Sequence, residues 1–209
     1  MRFYLVFKNR TRRRETNMAV AVLRTPDIEG EVVAQPYRGG VNIVARFTKL
    51  PPGKHGFHIH KAGDLRGEGC KGLCEHFDKG NHTHGDAPPS KRERHTGDLG
   101  NIEIKANQKE FARTYFLADV TVEELWGRSV IVHQDEDDVG LGTAEDSKTT
   151  GHSGARIGCA IFGRTNGCGT PKQTITEPMK GGQTNEGLSW PFLAAASGLL
   201  AMAYWSKRK

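Results

Sequence analysis

Cysteine is scarce in this sequence: four residues in 209, at positions 70, 74, 159 and 168. That is too few for a disulfide scaffold in a chain of this length, and no CxxC pair occurs, so the natural reading is one specific disulfide, or two. Helical periodicity is almost absent; residues 121–125 alone suggest a single turn. The amino-terminal end lacks a secretory signal, because FYLVF is shorter than an apolar signal core and no small-residue cleavage site follows it. Apolar residues make up only 36%, against 26 glycines. Such a composition suits a loop-rich, all-β globule better than a helical bundle.

A basic excess on the folded face is also missing. Residues 1–17 carry six Arg or Lys against one Glu, and Lys207, Arg208 and Lys209 add three more. Of the overall +6, the residues between hold about −2. A nucleic-acid-binding domain concentrates positive charge on its folded surface, so nucleic acid is not expected as a partner. Residues 1–17 read as a basic, disordered extension ahead of Met18, with an Arg-rich character loosely like a mitochondrial presequence.

What is present from Met18 onward is a series of short β-branched runs punctuated by Gly, Pro and Asn. Strands are expected at residues 19–23, 31–35, 41–48, 56–60, 99–104, 111–118, 129–133 and 156–162. Eight strands separated by turn signals read as an antiparallel sandwich or barrel. Two connections are far too long for tight turns: residues 61–97, 37 in number, and residues 134–155, 22 in number. Ordered loops of that length are uncommon unless functional, and both are rich in His, Asp, Glu and Gly. Residues 165–187 read as a flexible linker. Leu188 to Trp205 then runs for 18 residues without a charge, with Trp190, Tyr204 and Trp205 near its ends and KRK beyond. Its expected role is a carboxy-terminal membrane anchor, with the folded domain facing the cytoplasm.

Nine histidines stand at positions 55, 58, 60, 76, 82, 84, 95, 133 and 152. Spacing, rather than number, carries the argument. In GFHIH, strand alternation puts His58 and His60 on one face, with Phe57 and Ile59 on the other. His133 ends the apolar strand SVIVH and can supply a third imidazole from a neighbouring strand. Three or four imidazoles without a thiolate suit copper. The long loop supplies His76, His84 and His95, and Asp98 follows where a strand restarts. Three imidazoles and one carboxylate make a closed tetrahedral set for zinc.

The segments GFHIHKAGD (56–64), GC (69–70), HF (76–77), HG (84–85), HTGDLGNI (95–102), VIVHQDEDDVG (130–140) and GHSGARIGC (151–159) resemble the copper/zinc superoxide dismutase family. They occur in the family's order across residues 18–164. The resemblance implies an eight-stranded Greek-key barrel or sandwich, immunoglobulin-like, with two functional loops. It implies copper on His58, His60, His76 and His133, and zinc on His76, His84, His95 and Asp98, with His76 as the shared bridge. Asp137 would accept hydrogen bonds from His58 and His84, and Cys70 and Cys159 would form the intradomain disulfide. Arg156 would attract superoxide, and Glu145, Asp146 and Lys148 would belong to the loop that shapes the steering field. The implied reaction converts superoxide to dioxygen and hydrogen peroxide, with Arg156 and His76 as catalytic residues. A homodimer and a copper chaperone are the partners that the family suggests.

Several positions depart from the family pattern. The eleven residues from His84 to His95 are about two more than expected, His82 is a rival for His84, and Lys61 and Ala62 replace an acid-aromatic pair. Lys148 is shifted by one position, and Leu141 stands where lysine is common. Cys74 and Cys168 are additional, either a loop-to-linker disulfide or thiols. A chaperone carrying a dismutase-like domain would need a CxxC or CxC copper-transfer site, which the sequence lacks. A non-enzymatic relative would be expected to lose a ligand or Arg156, and neither is lost.

Overall fold

Alternation in AVAVLR turns Ala19, Ala21 and Leu23 inward and leaves Val22 and Arg24 exposed, which defines strand β1 (Ala19–Arg24). The same period of two builds β2 (Glu29–Tyr37) and β3 (Gly40–Lys49), where Val41, Ile43, Ala45 and Phe47 face inward. The computed structural model describes residues 17–165. Its further strands are β4 (Gly53–His60), β5 (Asp98–Ile104), β6 (Phe111–Ala118), β7 (Ser129–His133), β8 (Arg156–Ile161) and β9 (Gly163–Arg164).

The strands form two antiparallel sheets, a five-stranded one in the order β6-β3-β2-β1-β9 and a four-stranded one in the order β5-β4-β7-β8. This is the all-β Greek-key sandwich that the sequence implies. Inward faces of both sheets meet in one apolar core. At its centre Phe47 of β3 meets Phe57 of β4 edge to face at 5.8 Å, and Tyr115 of β6 lies 6.2 Å from Phe57.

The expected strands recur with one correction: nine are present rather than eight. The run expected over residues 156–162 ends at Ile161. Phe162 is buried, and Gly163 and Arg164 then pair with Val20 and Ala19 at the edge of the other sheet. One apolar run thus serves both layers, which alternation alone does not reveal. The expected turn at residues 121–125 is helix α1 (Val122–Leu125), closed by a capping box between Thr121 and Glu124. A second short helix, α2 (Ser147–Thr150), and a 3-10 turn at Lys71–Leu73 lie in the two long connections.

Those connections span residues 61–97 between β4 and β5 (loop 1) and residues 134–155 between β7 and β8 (loop 2). Loop 1 is laced to the end of β4 by backbone hydrogen bonds, from Phe77 N to Ile59 O (2.8 Å), Ile59 N to Gly97 O (2.9 Å) and Lys61 N to Glu75 O (3.0 Å). It is also joined to β8 by the Cys70–Cys159 disulfide, which closes a sequence separation of 89 residues. Closing a loop of that order stabilises a fold by about 4–5 kcal/mol in the chain-entropy account.

Cys74 is exposed, and Cys168, its expected partner, lies outside the described residues. All but the last residue of the amino-terminal extension 1–17 and the hydrophobic segment Leu188 to Trp205 lie outside them as well, as does all but the first residue of the linker. Among the described residues no helix is long and apolar enough to cross a membrane.

Candidate metal centre

On β4 the side chains of Phe57 and Ile59 enter the core, so His58 and His60 project together from the opposite face. Antiparallel pairing sets His58 opposite Ile131 and His60 opposite Ser129 of β7, and His133 ends that strand. The ladder is irregular on both sides of the site, between Gly56 and His58 and between Val132 and His133. Bulges of this kind re-aim side chains next to functional sites. Loop 1 returns to pair His76 with His60, bringing the His76 ring within 4.1 Å of His58 and 4.8 Å of His60.

The result is a buried group of four imidazoles, His58, His60, His76 and His133, whose candidate ligand atoms lie within 4.8 Å of one another. In each ring one nitrogen has a partner. His58 Nε2 meets Asp137 Oδ2 at 2.8 Å, His60 Nδ1 meets Cys74 O at 2.9 Å, His76 Nδ1 meets Asp98 Oδ1 at 2.8 Å and His133 Nδ1 meets Gly154 O at 3.2 Å. The opposite nitrogens, His58 Nδ1, His60 Nε2, His76 Nε2 and His133 Nε2, are buried and unpaired. A neutral imidazole that donates through one nitrogen must present a lone pair at the other. Four such lone pairs in one place, away from water, are a poor arrangement for a protein and a good one for a cation. Burial, followed by the neighbouring His76, lowers the pKa of His58 to about 3 and that of His60 well below the usual range. Burial likewise lowers His133 to about 4. The four-imidazole group therefore stays neutral near pH 7, as metal donors must.

A second group lies beside it. The Nδ1 atoms of His76, His84 and His95 stand 2.8, 3.1 and 3.3 Å from Asp98 Oδ1. Asp98 Oδ2 is occupied by the backbone N–H of His95 (2.8 Å) and of Gly85 (3.0 Å), which fixes the carboxylate and leaves Oδ1 toward the rings. Three nitrogens and one oxygen are the donor set of a closed tetrahedral site. His76 belongs to both groups, one ring nitrogen in each.

Asp137 ties the groups together. Its Oδ2 meets His58 Nε2 and its Oδ1 meets His84 Nε2, each at 2.8 Å, with all three side chains buried. Burial opposes ionisation of this carboxyl, but the two histidine hydrogen bonds outweigh it and hold the group below the usual carboxylate range. For His84, burial also opposes the charge, yet hydrogen bonds to Asp137 and Asp98 raise its pKa to about 9.

Arg156, on β8, is half-buried and points to the neck of loop 1, donating to Cys70 O (2.8 Å) and Cys74 O (2.7 Å). The carbonyl of Cys74 therefore holds both the guanidinium and the His60 ring. To do so Cys74 adopts a φ of 59°, which side chains rarely accept. No sequence signal marks this acceptor.

His82, the rival for His84, is exposed on Asp78 and outside both groups. His152 is exposed against Asp146. His55, not singled out by its spacing, is buried with Nδ1 against His133 O (2.9 Å) and Nε2 against Pro51 O (3.0 Å), so it supports the site's frame. Of the expected steering residues, Lys148 bonds through Nζ to Gly140 O and Asp146 is paired with His152.

Gly151 occupies a tight passage beside Asp137 and His84. A Cβ there would lie 2.0 Å from Asp137 Oδ1 and 2.4 Å from His84 Nε2, and its φ is +67°. Gly127 has a similar φ of +79° but open space around it. Gly127→Ala should therefore cost only the left-handed strain, about 1–2 kcal/mol. Gly151→Ala should cost clearly more, about 3 kcal/mol or above, because it must also part a buried hydrogen-bonded pair. Urea unfolding of both variants checks this, and equal losses would remove the close approach as the constraint.

A family profile described as copper/zinc superoxide dismutase matches residues 28–162. A Cu-Zn superoxide dismutase of Paramecium bursaria Chlorella virus 1 is 40% identical over 151 residues, 69% of this chain and 77% of the viral protein. Superoxide dismutase 3 (Cu-Zn) of Arabidopsis thaliana is 38% identical over 139 residues, 62% of this chain and 78% of that one. Among solved structures, the clock protein EA4 superposes with a TM-score of 0.63 at 35% identity, covering 72% of this chain and 96% of that one. With two buried donor groups sharing His76 inside a Greek-key sandwich, the chain belongs to the copper/zinc superoxide dismutase family.

Proposed function

We propose that the protein is a superoxide dismutase, with copper on His58, His60, His76 and His133 and zinc on His76, His84, His95 and Asp98. The observation that carries the reading is the set of four buried, unpaired imidazole nitrogens converging beside a three-imidazole, one-carboxylate group. All-nitrogen donors suit copper, and a closed N3O set suits zinc in a structural role. Family membership supports the same assignment.

The reaction takes two superoxide anions and two protons to one dioxygen and one hydrogen peroxide. Copper, when bound, would supply the one-electron couple, and zinc would supply a fixed positive charge. The chain's own residues do the rest. Arg156 attracts the anion and hydrogen-bonds it, its guanidinium pre-aimed by the carbonyls of Cys70 and Cys74. His76 holds a proton at Nε2 between the two half-reactions, while its Nδ1 side stays anchored beside Asp98. Asp137 keeps the His58 and His84 rings in the orientation that presents their Nδ1 atoms. Loop 2, with Glu145, Asp146 and Lys148, contributes to the field at the entrance. A homodimer, and copper delivery by a chaperone, belong to the same proposal by family analogy.

The full chain should bind one copper and one zinc and consume superoxide. Chelation should abolish activity, and the two metals together should restore it while zinc alone does not. A metal-loaded protein that left superoxide untouched would sink the reading.

Arg156→Ala should keep both metals but lower kcat/KM at least about tenfold, with a weaker dependence on ionic strength, because the removed charge acts on the anion's approach. Unchanged kinetics would remove Arg156 from the reaction.

We also infer from its 18 uncharged residues that Leu188 to Trp205 anchors the chain to a membrane, with the enzyme facing the cytoplasm. Flotation with liposomes should carry the full chain and not a chain ending at residue 187, both being active; equal behaviour of the two would overturn the anchor.

A further inference from the structure

Asp137 can join the two donor groups only while its carboxylate stays between His58 Nε2 and His84 Nε2. Yet it lies in loop 2, four residues beyond the end of β7, where no strand ladder fixes its backbone. Its neighbours Asp135 and Asp138 bond through their N–H groups to Ser153 O (3.0 Å) and Gly151 O (2.9 Å), but both backbone polar groups of residue 137 itself are held by a single side chain. Asn101 Oδ1 accepts from Asp137 N–H at 2.8 Å, and Asn101 Nδ2 donates to Asp137 O at 2.8 Å. One amide thus supplies the donor and acceptor that a neighbouring strand would have offered, and it reaches both polar groups of one residue.

The local shape of β5 puts Asn101 there. Asp98 and Asn101 are three apart, so in a regular strand they would face opposite sides. Gly100 between them has a φ of +66°, and the β4–β5 register shifts between Gly56 and His58. This irregularity resets the alternation. Leu99 and Ile102, also three apart, both enter the core, while Asp98 reaches the imidazoles and Asn101 reaches loop 2. A Cβ at position 100 would also approach Asp86 Oδ1 at 3.0 Å and Ala87 at 3.1 Å, so the site needs glycine there for space and for conformation.

The geometry points to Asn101 as the positioning residue for Asp137: it sets the backbone from which the carboxylate couples the two metal groups, without touching a ligand itself. This rests on the metal assignment above. Asn101 acts through Asp137, so removing it should matter only while the Asp137 carboxylate is there to be aimed.

The test is a double-mutant cycle on zinc release from the full-length, copper- and zinc-loaded protein to a chromophoric chelator. Asn101→Ala should speed zinc release about tenfold, the lower end of what losing an outer partner of a metal ligand does. In an Asp137→Asn background the same change should alter release by less than about twofold, since the aimed carboxylate is already gone. The Cu2+ electron paramagnetic resonance signal should shift in Asn101→Ala, because the His58 ring loses part of its fixed orientation. Asn101→Asp, which keeps the acceptor for Asp137 N–H and loses the donor to Asp137 O, should fall between wild type and alanine; it carries the cycle if the alanine variant does not fold. Effects that simply add, or an unchanged release rate with wild type fully loaded, would overturn the inference alone. A wild-type chain that takes up no zinc would overturn it together with the metal assignment.

Discussion

The carboxylate of Asp137 is buried, and its two oxygens are committed to two histidines that belong to different donor groups. A carboxylate removed from water is stable only when its lone pairs are taken, so this arrangement is fixed by need. Much of the site's frame follows from it. The His58 and His84 rings turn their Nε2 atoms toward Asp137 and must present Nδ1 inward. Loop 2 must bring residue 137 over β4 and β5, which requires Asn101 below it and a side-chain-free Gly151 beside it. Val139, a β-branched residue with a φ of 53°, donates its N–H to Asp137 Oδ1 at 2.7 Å, so even local strain is spent on the same oxygen.

Much of this was legible in the sequence, for identifiable reasons. Strand alternation places His58 and His60 on one face because their neighbours Phe57 and Ile59 are apolar and must be inside. The two long connections begin and end at the predicted residues because Ile59, Leu99, Val132 and Ile157, each one position inside a strand end, are apolar and mark the strands up to His60, Asp98, His133 and Arg156. His84, preferred over His82, lies in the buried group, while Asp78 holds His82 at the surface.

The rest was hidden for equally physical reasons. Backbone acceptors such as Cys74 O and Gly154 O are available from any residue type, so nothing in the sequence marks them. Irregular pairing at Gly100 changes which residues share a face, and a strict period of two then assigns Asn101 wrongly. His55 has a position of no evident pattern, and only the packed structure shows its nitrogens against the carbonyls of His133 and Pro51. The ninth strand is two residues long, too short for any periodic signal.

The donors are drawn from positions 58 to 133, on loop 1 and on three strands of the four-stranded sheet, which meet only after that sheet has paired over long sequence distances. An unfolded chain holds no such constellation, so a metal ion captured there recognises the finished fold alone. Its binding free energy then adds directly to the folded side of the equilibrium and grows with the logarithm of free metal concentration. Long-range pairing also makes folding slow relative to helical proteins. Metal supply thus becomes a quantity that sets how long the assembled chain persists, as well as what it can do.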